Sequence, residues 1–484
     1  MGDAFGSANS AAVANDLNKS SQSVGQALPV PNPGLSYWQR TTRAFPLLNV
    51  NRDTPVPATS KYVVIGSGIS GALTAFELLE NGVKGEDVII LEAREAASGA
   101  SSRNAGHVRP DAFRGFTAYS NVHGTEQALK IIANERLVLQ KVDDFVRKHN
   151  APVDVHISTT FDVCLTPEFA AYEARSYEAY KAAGGDISEI KYYEGEQAKT
   201  KTGVPSAVTA YEWPAGSSHP AKLAHFLLNA AATKGVTLFT HCPATSINKV
   251  SDSPSAAPLW SIKTPRGSVT ASTIIHCTNA HAALLLPNLS PHLTPNRAQA
   301  HSLIAPPSFS GSSIRSSTYS LRYSLHHFYS LIQRQGDGTL ILGVSRSNPT
   351  LSTETLSQTV SIDDSSYNQE ILEDAVEHFQ RIFPEYKDKE RAQIHGEGLD
   401  HAWNGVIAMT SDSVPYVGAI EEMPGQYICA GFNGHGMARI FTCAPGVARL
   451  ATGGNWADTG LPECFQITQD RLKSIADGHH QSVW

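Results

Sequence analysis

The feature that most constrains this chain is the hexapeptide Gly66-Ser67-Gly68-Ile69-Ser70-Gly71. It follows an apolar run, Tyr62 to Ile65, and opens a stretch, ISGALTAFELLENG, with apolar residues at helical spacing and a C-cap at Gly82. A second apolar run, DVIILEA, then ends on Glu92 and Ala93. Strand, glycine turn, helix and strand within about 32 residues predict a dinucleotide-binding βαβ unit. Gly66 permits the tight turn, Gly68 lets the backbone approach a pyrophosphate, and Gly71 lets helix and strand pack closely. Ile69 and Ser70 begin the helix, whose unpaired N–H groups and partial positive charge face the phosphates. Glu92 is placed to accept hydrogen bonds from a ribose diol, and its charge disfavours a 2′-phosphate.

The residues after Glu92 narrow the ligand further. A nicotinamide dehydrogenase of this type starts its next helix here. This chain instead reads Ala93-Arg94-Glu95-Ala96-Ala97-Ser98-Gly99-Ala100-Ser101-Ser102-Arg103-Asn104-Ala105-Gly106-His107. So many small residues suit a loop laid along an extended ligand, with Ser101, Ser102 and Arg103 in reach of pyrophosphate or ribitol oxygens. Composition excludes other classes. The 484 residues carry a net charge of −7, a poor balance for nucleic-acid binding. The six cysteines form no C-x-x-C pair, and no His, Asp or Glu spacing suggests a metal. No G-x-S-x-G elbow suggests a hydrolase. The N-terminus lacks the pattern of a secretory signal, no run reaches the ~18 apolar residues needed to span a bilayer, and the C-terminal residues are not a peroxisomal tripeptide. The expectation is a cytoplasmic protein without membrane or nucleic-acid partners, and a monomer.

Along the chain, residues 1–58 read as an N-terminal arm, disordered over the first ~25, with aromatics in LSYWQRTTRAFPLL that anchor it to the body. Helices are expected near 125–149, 219–234 and 367–383, with strand-rich stretches between. The chain closes on GQYICAGFNGHGMARIFTCAPGVARLATGG, a strand, a glycine turn and a helix. The fold expected is α/β: a Rossmann-type domain made of 59–150, 205–297 and 400–453, with an inserted, mainly antiparallel α+β substrate domain made of 151–204 and 298–399, and an extension at 454–484.

Taken together, these residues resemble the FAD-dependent oxidoreductases of the D-amino-acid oxidase superfamily, which includes glycine, sarcosine and gamma-glutamylputrescine oxidases. The resemblance runs from about 36 to 453. Its carriers are the Rossmann unit, the SGASSRNAGH loop, Ser218 to Leu223, Thr240 to Ala244, the Cys277-Thr278-Asn279-Ala280 turn, and Arg297-Ala298-Gln299. The strands Phe328 to Gln333 and Thr339 to Gly343, the string Thr410, Asp412, Pro415 and Gly418, and Gly431-Phe432-Asn433-Gly434-His435-Gly436 complete it. The resemblance implies FAD held by the glycine turn, Glu92, Ala93, Arg94, Ser101, Ser102, Arg103, Asn104, Ala105, Gly106, His107, Ala244, Thr278, Asn279, Gly405, Gly434, His435, Gly436 and Met437. A helix starting near Met437 would aim its positive end at the flavin. Relatives with covalently bound flavin carry a cysteine near the position of Gly405 or a histidine near that of Arg103, so FAD is expected to be non-covalent, with His107 the residue most able to upset this. A lysine linked with oxygen in sarcosine-oxidase-like members falls near Ile341.

The activity implied is oxidation of an amine or amino acid at the carbon beside nitrogen, giving an imine and, with O2, hydrogen peroxide. A flavin dehydrogenase with another acceptor, a non-catalytic flavin protein and a plain NAD dehydrogenase are the alternatives. Candidate catalytic residues are His327, Tyr329, His401, Trp403 and His435. Strand alternation puts His327 and Tyr329 on one face, and His326 and Phe328 on the other. Arg322 and Tyr323 are also available to substrate, and Arg334 and Arg346 are candidates to hold a carboxylate.

Overall fold

The computed structural model describes residues 24–250, 258–345, 348–386 and 398–476. Most of the stretch expected to be disordered, and Arg346, lie outside the described residues. A six-stranded sheet runs in the order Tyr416–Ala419, Gln426–Ala430, Thr273–His276, Tyr62–Ile65, Val88–Leu91, Thr237–Phe239. All its pairings are parallel except that of the first two strands. Tyr62–Ile65 and Val88–Leu91 are buried at every position, which is why they read as unbroken apolar runs rather than alternating ones. Helices Ile69–Glu80, Thr125–His149, Pro220–Thr233 and Ile440–Ala451 cover one face. A three-stranded antiparallel sheet, Ser246–Lys249, Trp260–Thr264 and Gly267–Ala271, covers the other.

A nine-stranded sheet forms the second layer. Its order is Leu399–Thr410, Leu293–Leu303, Leu340–Val344, Phe328–Gln333, Thr318–Arg322, His156–Cys164, Thr209–Ser217, His107–Val108, with Lys191–Glu194 also paired to Thr209–Ser217. Only the contact of Thr318–Arg322 with His156–Cys164 is parallel. Helix Gln369–Ile382 packs Ala375, Phe379 and Ile382 against it.

Sheet membership departs from the division drawn from sequence. Thr209–Ser217 pairs with His156–Cys164, and Leu293–Leu303 pairs with Leu399–Thr410 from Leu293↔Thr410 to Leu303↔Leu399. Continuous ladders run across the boundaries expected at 205, 297 and 400, because strand pairing is satisfied along the whole ribbon and not domain by domain. The expected helices occur as Thr125–His149, Pro220–Thr233 and Gln369–Ile382. Among the described residues, no helix is long and apolar enough to cross a membrane.

Helix Gln469–Ala476 closes the fold. Its Arg471 donates to both oxygens of Asp412 at 2.7 and 2.9 Å, and to the carbonyls of Val414 and Pro415. Burial alone would raise the Asp412 carboxyl, but Arg471 beside it holds it below its usual range. This fixes the turn after Leu399–Thr410.

Two outcomes follow from this packing. A methyl group at Gly71 would stand 1.9 Å from the Gly66 carbonyl oxygen, so Gly71→Ala should lower stability by about 1–3 kcal/mol in urea unfolding. Arg471→Met should cost about 3–5 kcal/mol near neutral pH, since it leaves Asp412 buried and unpaired. The depressed Asp412 value stabilises the wild type above the unfolded aspartate value of about 3.9, and the contribution is lost as the pH falls below it. The difference between wild type and Arg471→Met should therefore shrink on acidification.

Candidate cofactor and active site

A cavity of about 420 Å³ opens at the carboxyl ends of Tyr62–Ile65 and Val88–Leu91 and extends to the nine-stranded sheet. Ligands of open α/β sheets bind at such strand ends. Gly66 has φ +104°, and a side chain there would meet the Cys277 carbonyl at 2.6 Å. Gly68 is the N-cap of helix Ile69–Glu80. Ser101 Oγ accepts from the Ile69 N–H at 2.8 Å, which joins the loop to the helix start. Glu92 accepts from the Ser67 N–H, the Ser67 hydroxyl at 2.6 Å and the Arg94 N–H.

The loop after Glu92 is clamped from far along the chain. Asp364 is buried and takes both terminal nitrogens of Arg94, at 2.9 and 3.0 Å, and lies 3.3 Å from Arg103 Nε. Burial and the neighbouring Arg94 lower Arg103 to about 10 despite Asp364. Arg103 also donates to the carbonyls of Ser98 and Asn404, and Trp403 Nε1 donates to the Arg103 carbonyl at 2.8 Å.

The structure brings most of the predicted cofactor residues to this cavity. Gly66, Gly68, Ile69, Ser70, Glu92, Ala93, Arg94, Ser101, Arg103, Asn104, Ala105 and His107 line it. So do Ala244, Thr278, Asn279, Gly405, Gly434, His435, Gly436 and Met437. Three do not. Gly71 is pressed against the Gly66 carbonyl, the role read from its place in the motif. Ser102 and Gly106 face away: the Ser102 carbonyl accepts from Ser36 Oγ, and Gly106 (φ +80°) packs on Trp38 and Ile332. The α-helix expected near Met437 starts at Ile440, after a 3₁₀ turn over Gly436–Ala438.

The catalytic expectations need correction. His327 and Tyr329 are not on the cavity. Alternation turns Phe328 and Ser330 to it, together with His326 from the preceding turn. Tyr329 donates to Asp374 at 2.5 Å and sits 3.3 Å from His327 Nε2, in a cluster that ties helix Gln369–Ile382 to the sheet. His401 Nε2 lies 2.5 Å from the Leu35 carbonyl, and Trp403 is buried behind the loop with Trp38. Both residues serve the arm. Arg334 pairs with Asp154 and Asp337 away from the cavity. Ile341 is fully buried in the cluster around Trp38.

Of the five, His435 alone reaches the cavity. Its Nδ1 lies 3.6 Å from Glu135, which also takes Arg439 Nε at 2.8 Å and the Asp111 N–H at 2.7 Å. Burial would raise Glu135, but Arg439 and His435 bring it down to about 2. Burial keeps His435 below the usual imidazole value even beside that carboxylate.

Sequence reasoning named Arg322 but missed the two arginines that join it at the far end. Arg109, Arg114 and Arg322 all line the cavity and all pair with Asp162, at 3.1, 2.6 and 3.2 Å. Asp111 is the second carboxylate near them. Glu173, the third acid, is held well above the usual carboxylate range by burial and by Asp162. Three guanidinium groups thus gather among Asp162, Asp111 and Glu173. His107 stands between this cluster and the loop. Burial and Arg109 lower it to about 3, and neither ring nitrogen has a hydrogen-bond partner. The sequence did carry a signal here: Arg109 and Arg114 follow directly on the SSRNAGH loop.

These residues fit FAD. The buried Thr278 Oγ has no protein partner at the cavity wall, and Gly434 has φ +76° with Ile407 3.6 Å from where a Cβ would stand. At Gly405 a side chain would stand 2.9 Å from the Cβ of Arg103. A family described as "FAD dependent oxidoreductase" matches residues 61–453. The chain is 22% identical over 416 residues to "Probable oxidoreductase OrdL" of Haemophilus influenzae, covering 83% of this chain and 86% of that protein. L-proline dehydrogenase from P. horikoshii superposes with a TM-score of 0.67 at 20% identity, over 87% of this chain and 99% of that one. Glycine oxidase from Geobacillus kaustophilus gives 0.65 at 18% identity, over 85% and 99%. With a dinucleotide cradle, a loop clamped along it and a family match over most of its length, this chain belongs to the FAD-dependent oxidoreductases of the D-amino-acid oxidase superfamily.

Proposed function

We propose that this FAD-dependent enzyme oxidises a small amino acid or amine bearing an anionic group, giving an imine and, with O2 as acceptor, hydrogen peroxide. The observation that carries the reading is the set of three guanidinium groups, Arg109, Arg114 and Arg322, gathered on the cavity wall. A buried, pre-oriented guanidinium is a strong partner for a carboxylate. FAD, held non-covalently, supplies the acceptor for hydride leaving the carbon beside nitrogen. The chain's own residues orient the substrate and set its protonation. An ammonium group resists becoming an iminium, so the amine must bind neutral or lose a proton on binding. The neutral His107 offers an imidazole nitrogen that can accept a hydrogen bond from that amine. The Arg109 guanidinium beside it disfavours a cationic amine at the same place.

A second reading, a dehydrogenase with an acceptor other than O2, has one observation in its favour. Ile341, near which the resemblance puts the lysine of sarcosine-oxidase-like members, is sealed in an apolar cluster.

Anaerobic titration of the purified protein with amines and amino acids should bleach the flavin bands with an anionic substrate. Failure with the whole panel would sink the amine chemistry while leaving the cofactor intact. Rapid recovery of the bands in air supports an oxidase, and slow recovery a dehydrogenase. Arg109→Gln should lower kcat/KM for the anionic substrate by about 30- to 1,000-fold, the loss of ~2–4 kcal/mol from a buried charged contact. The same variant should change reaction with an uncharged amine far less. The rising limb of kcat/KM against pH should follow the substrate amine, with no inflection near 6.5 from His107 or His435, both held below that value.

A further inference from the structure

Residues 24–58 precede the part of the chain that the family match covers, yet they reach the cofactor cavity. Leu28 and Pro29 line it. The residues flanking them place them at one end of it: the Ala27 carbonyl meets His281, and the Val30 carbonyl meets Arg94, two residues past Glu92. In a site of this kind the pyrophosphate lies at the glycine turn and the ribose at the acidic residue. The end beyond Glu92 therefore takes the adenine. Leu28 is 39% exposed although it is large and apolar. One side of it looks into the cavity, where a flat aromatic ring would cover it.

The segment is anchored on both sides of that end. The Ala27 carbonyl meets His281 Nδ1 at 3.1 Å, the Val30 carbonyl accepts from Arg94 at 3.3 Å, and Gly34 N–H donates to the Asp364 carbonyl at 3.0 Å. The next residues grip the back of the loop from Ser98 to Gly106. Ser36 Oγ donates to the Ser102 carbonyl at 2.5 Å, Trp38 Nε1 to the Asn104 carbonyl at 2.7 Å, and Gln39 to the Ser98 carbonyl at 3.3 Å. Trp38 is fully buried among Ile332, Ile341 and Trp403. The arm thus binds the outward carbonyls of a loop whose inner face, at Ser101 and Asn104, meets the ligand.

We infer that residues 25–43 are a built part of the FAD site. Leu28 and Pro29 form a strap over the adenine end, and Ser36 to Gln39 hold the ligand loop in shape. The strap acts on retention of the AMP half of the cofactor, and FAD exchange requires it to lift. This inference rests on the cofactor and is independent of the substrate proposed above.

The test uses holoenzyme and follows flavin fluorescence released on dilution. The Leu28→Ser, Pro29→Gly double variant should release FAD about tenfold faster or more, the expected loss for one well-covered apolar side chain. Its apoprotein should unfold at the wild-type temperature, because the strap contacts ligand rather than core. Affinity for FMN, which lacks the AMP half, should be the same in both proteins. Deletion of residues 2–23, which spares the strap, should leave release unchanged. FAD release at the wild-type rate from the double variant overturns the strap. So does an equal loss of FMN affinity, or flavin that stays with all the denatured proteins.

Discussion

The long antiparallel ladder between Leu293–Leu303 and Leu399–Thr410 holds the two layers of this protein in one geometry. Ala298, Gln299 and Ala300 from one strand, and Gly405, Val406 and Ile407 from the other, face the cavity. At its far end Thr410 N–H donates to Asn433 Oδ1 at 2.8 Å, and Asn433 N–H donates to the Ala408 carbonyl. The glycine turn at Gly434 is thereby registered on the sheet that carries the substrate side. Arg471 and Arg439 tie the turn after Thr410 from outside, through Asp412 and the Ser413 carbonyl. A ladder of this length resists sliding, because a one-residue shift would turn every inward residue outward.

Much of the cofactor half was legible in the sequence, because its demands are local. A strand buried on both faces, a turn without side chains and an acidic residue at a set distance are all adjacent in the chain. The substrate half was less legible because its partners are distant. Nothing near Asp364 announces that it will meet Arg94 and Arg103, some 270 positions away for Arg94. The face of Phe328–Gln333 that meets the cavity could not be chosen from alternation alone. Tyr329 and His327 go to the helix Gln369–Ile382, where Asp374 awaits them. His401 and Trp403 looked catalytic as polar and aromatic residues near the glycine string. They are instead the floor on which the arm sits. Arg109 and Arg114 stood in plain view after the ligand loop, but their meaning depends on Asp162 and Arg322 from two other strands.

The charges of the cavity are arranged so that burial works with geometry. Asp162, Asp412 and Glu135 are all sealed from solvent, and each is kept ionised by an adjacent arginine. Burial and the neighbouring Asp162 hold Glu173 well above the usual carboxylate range. Burial lowers both imidazoles at the wall, His107 to about 3 and His435 below the usual value. The ion pairs around the cavity are therefore in place before a ligand enters. Such fixed charges need no reorganisation when a ligand enters.

The arm also sets an order of events during synthesis. Leu35 and His401, which meet in the finished protein, are separated by 366 positions. At roughly 5–20 residues per second, the ribosome takes from about twenty seconds to more than a minute to deliver the second after the first. Over that interval the βαβ unit can already form, but the floor beneath Trp38 does not yet exist. The arm around Trp38 can therefore settle only after the strand carrying His401 and Trp403 has been made.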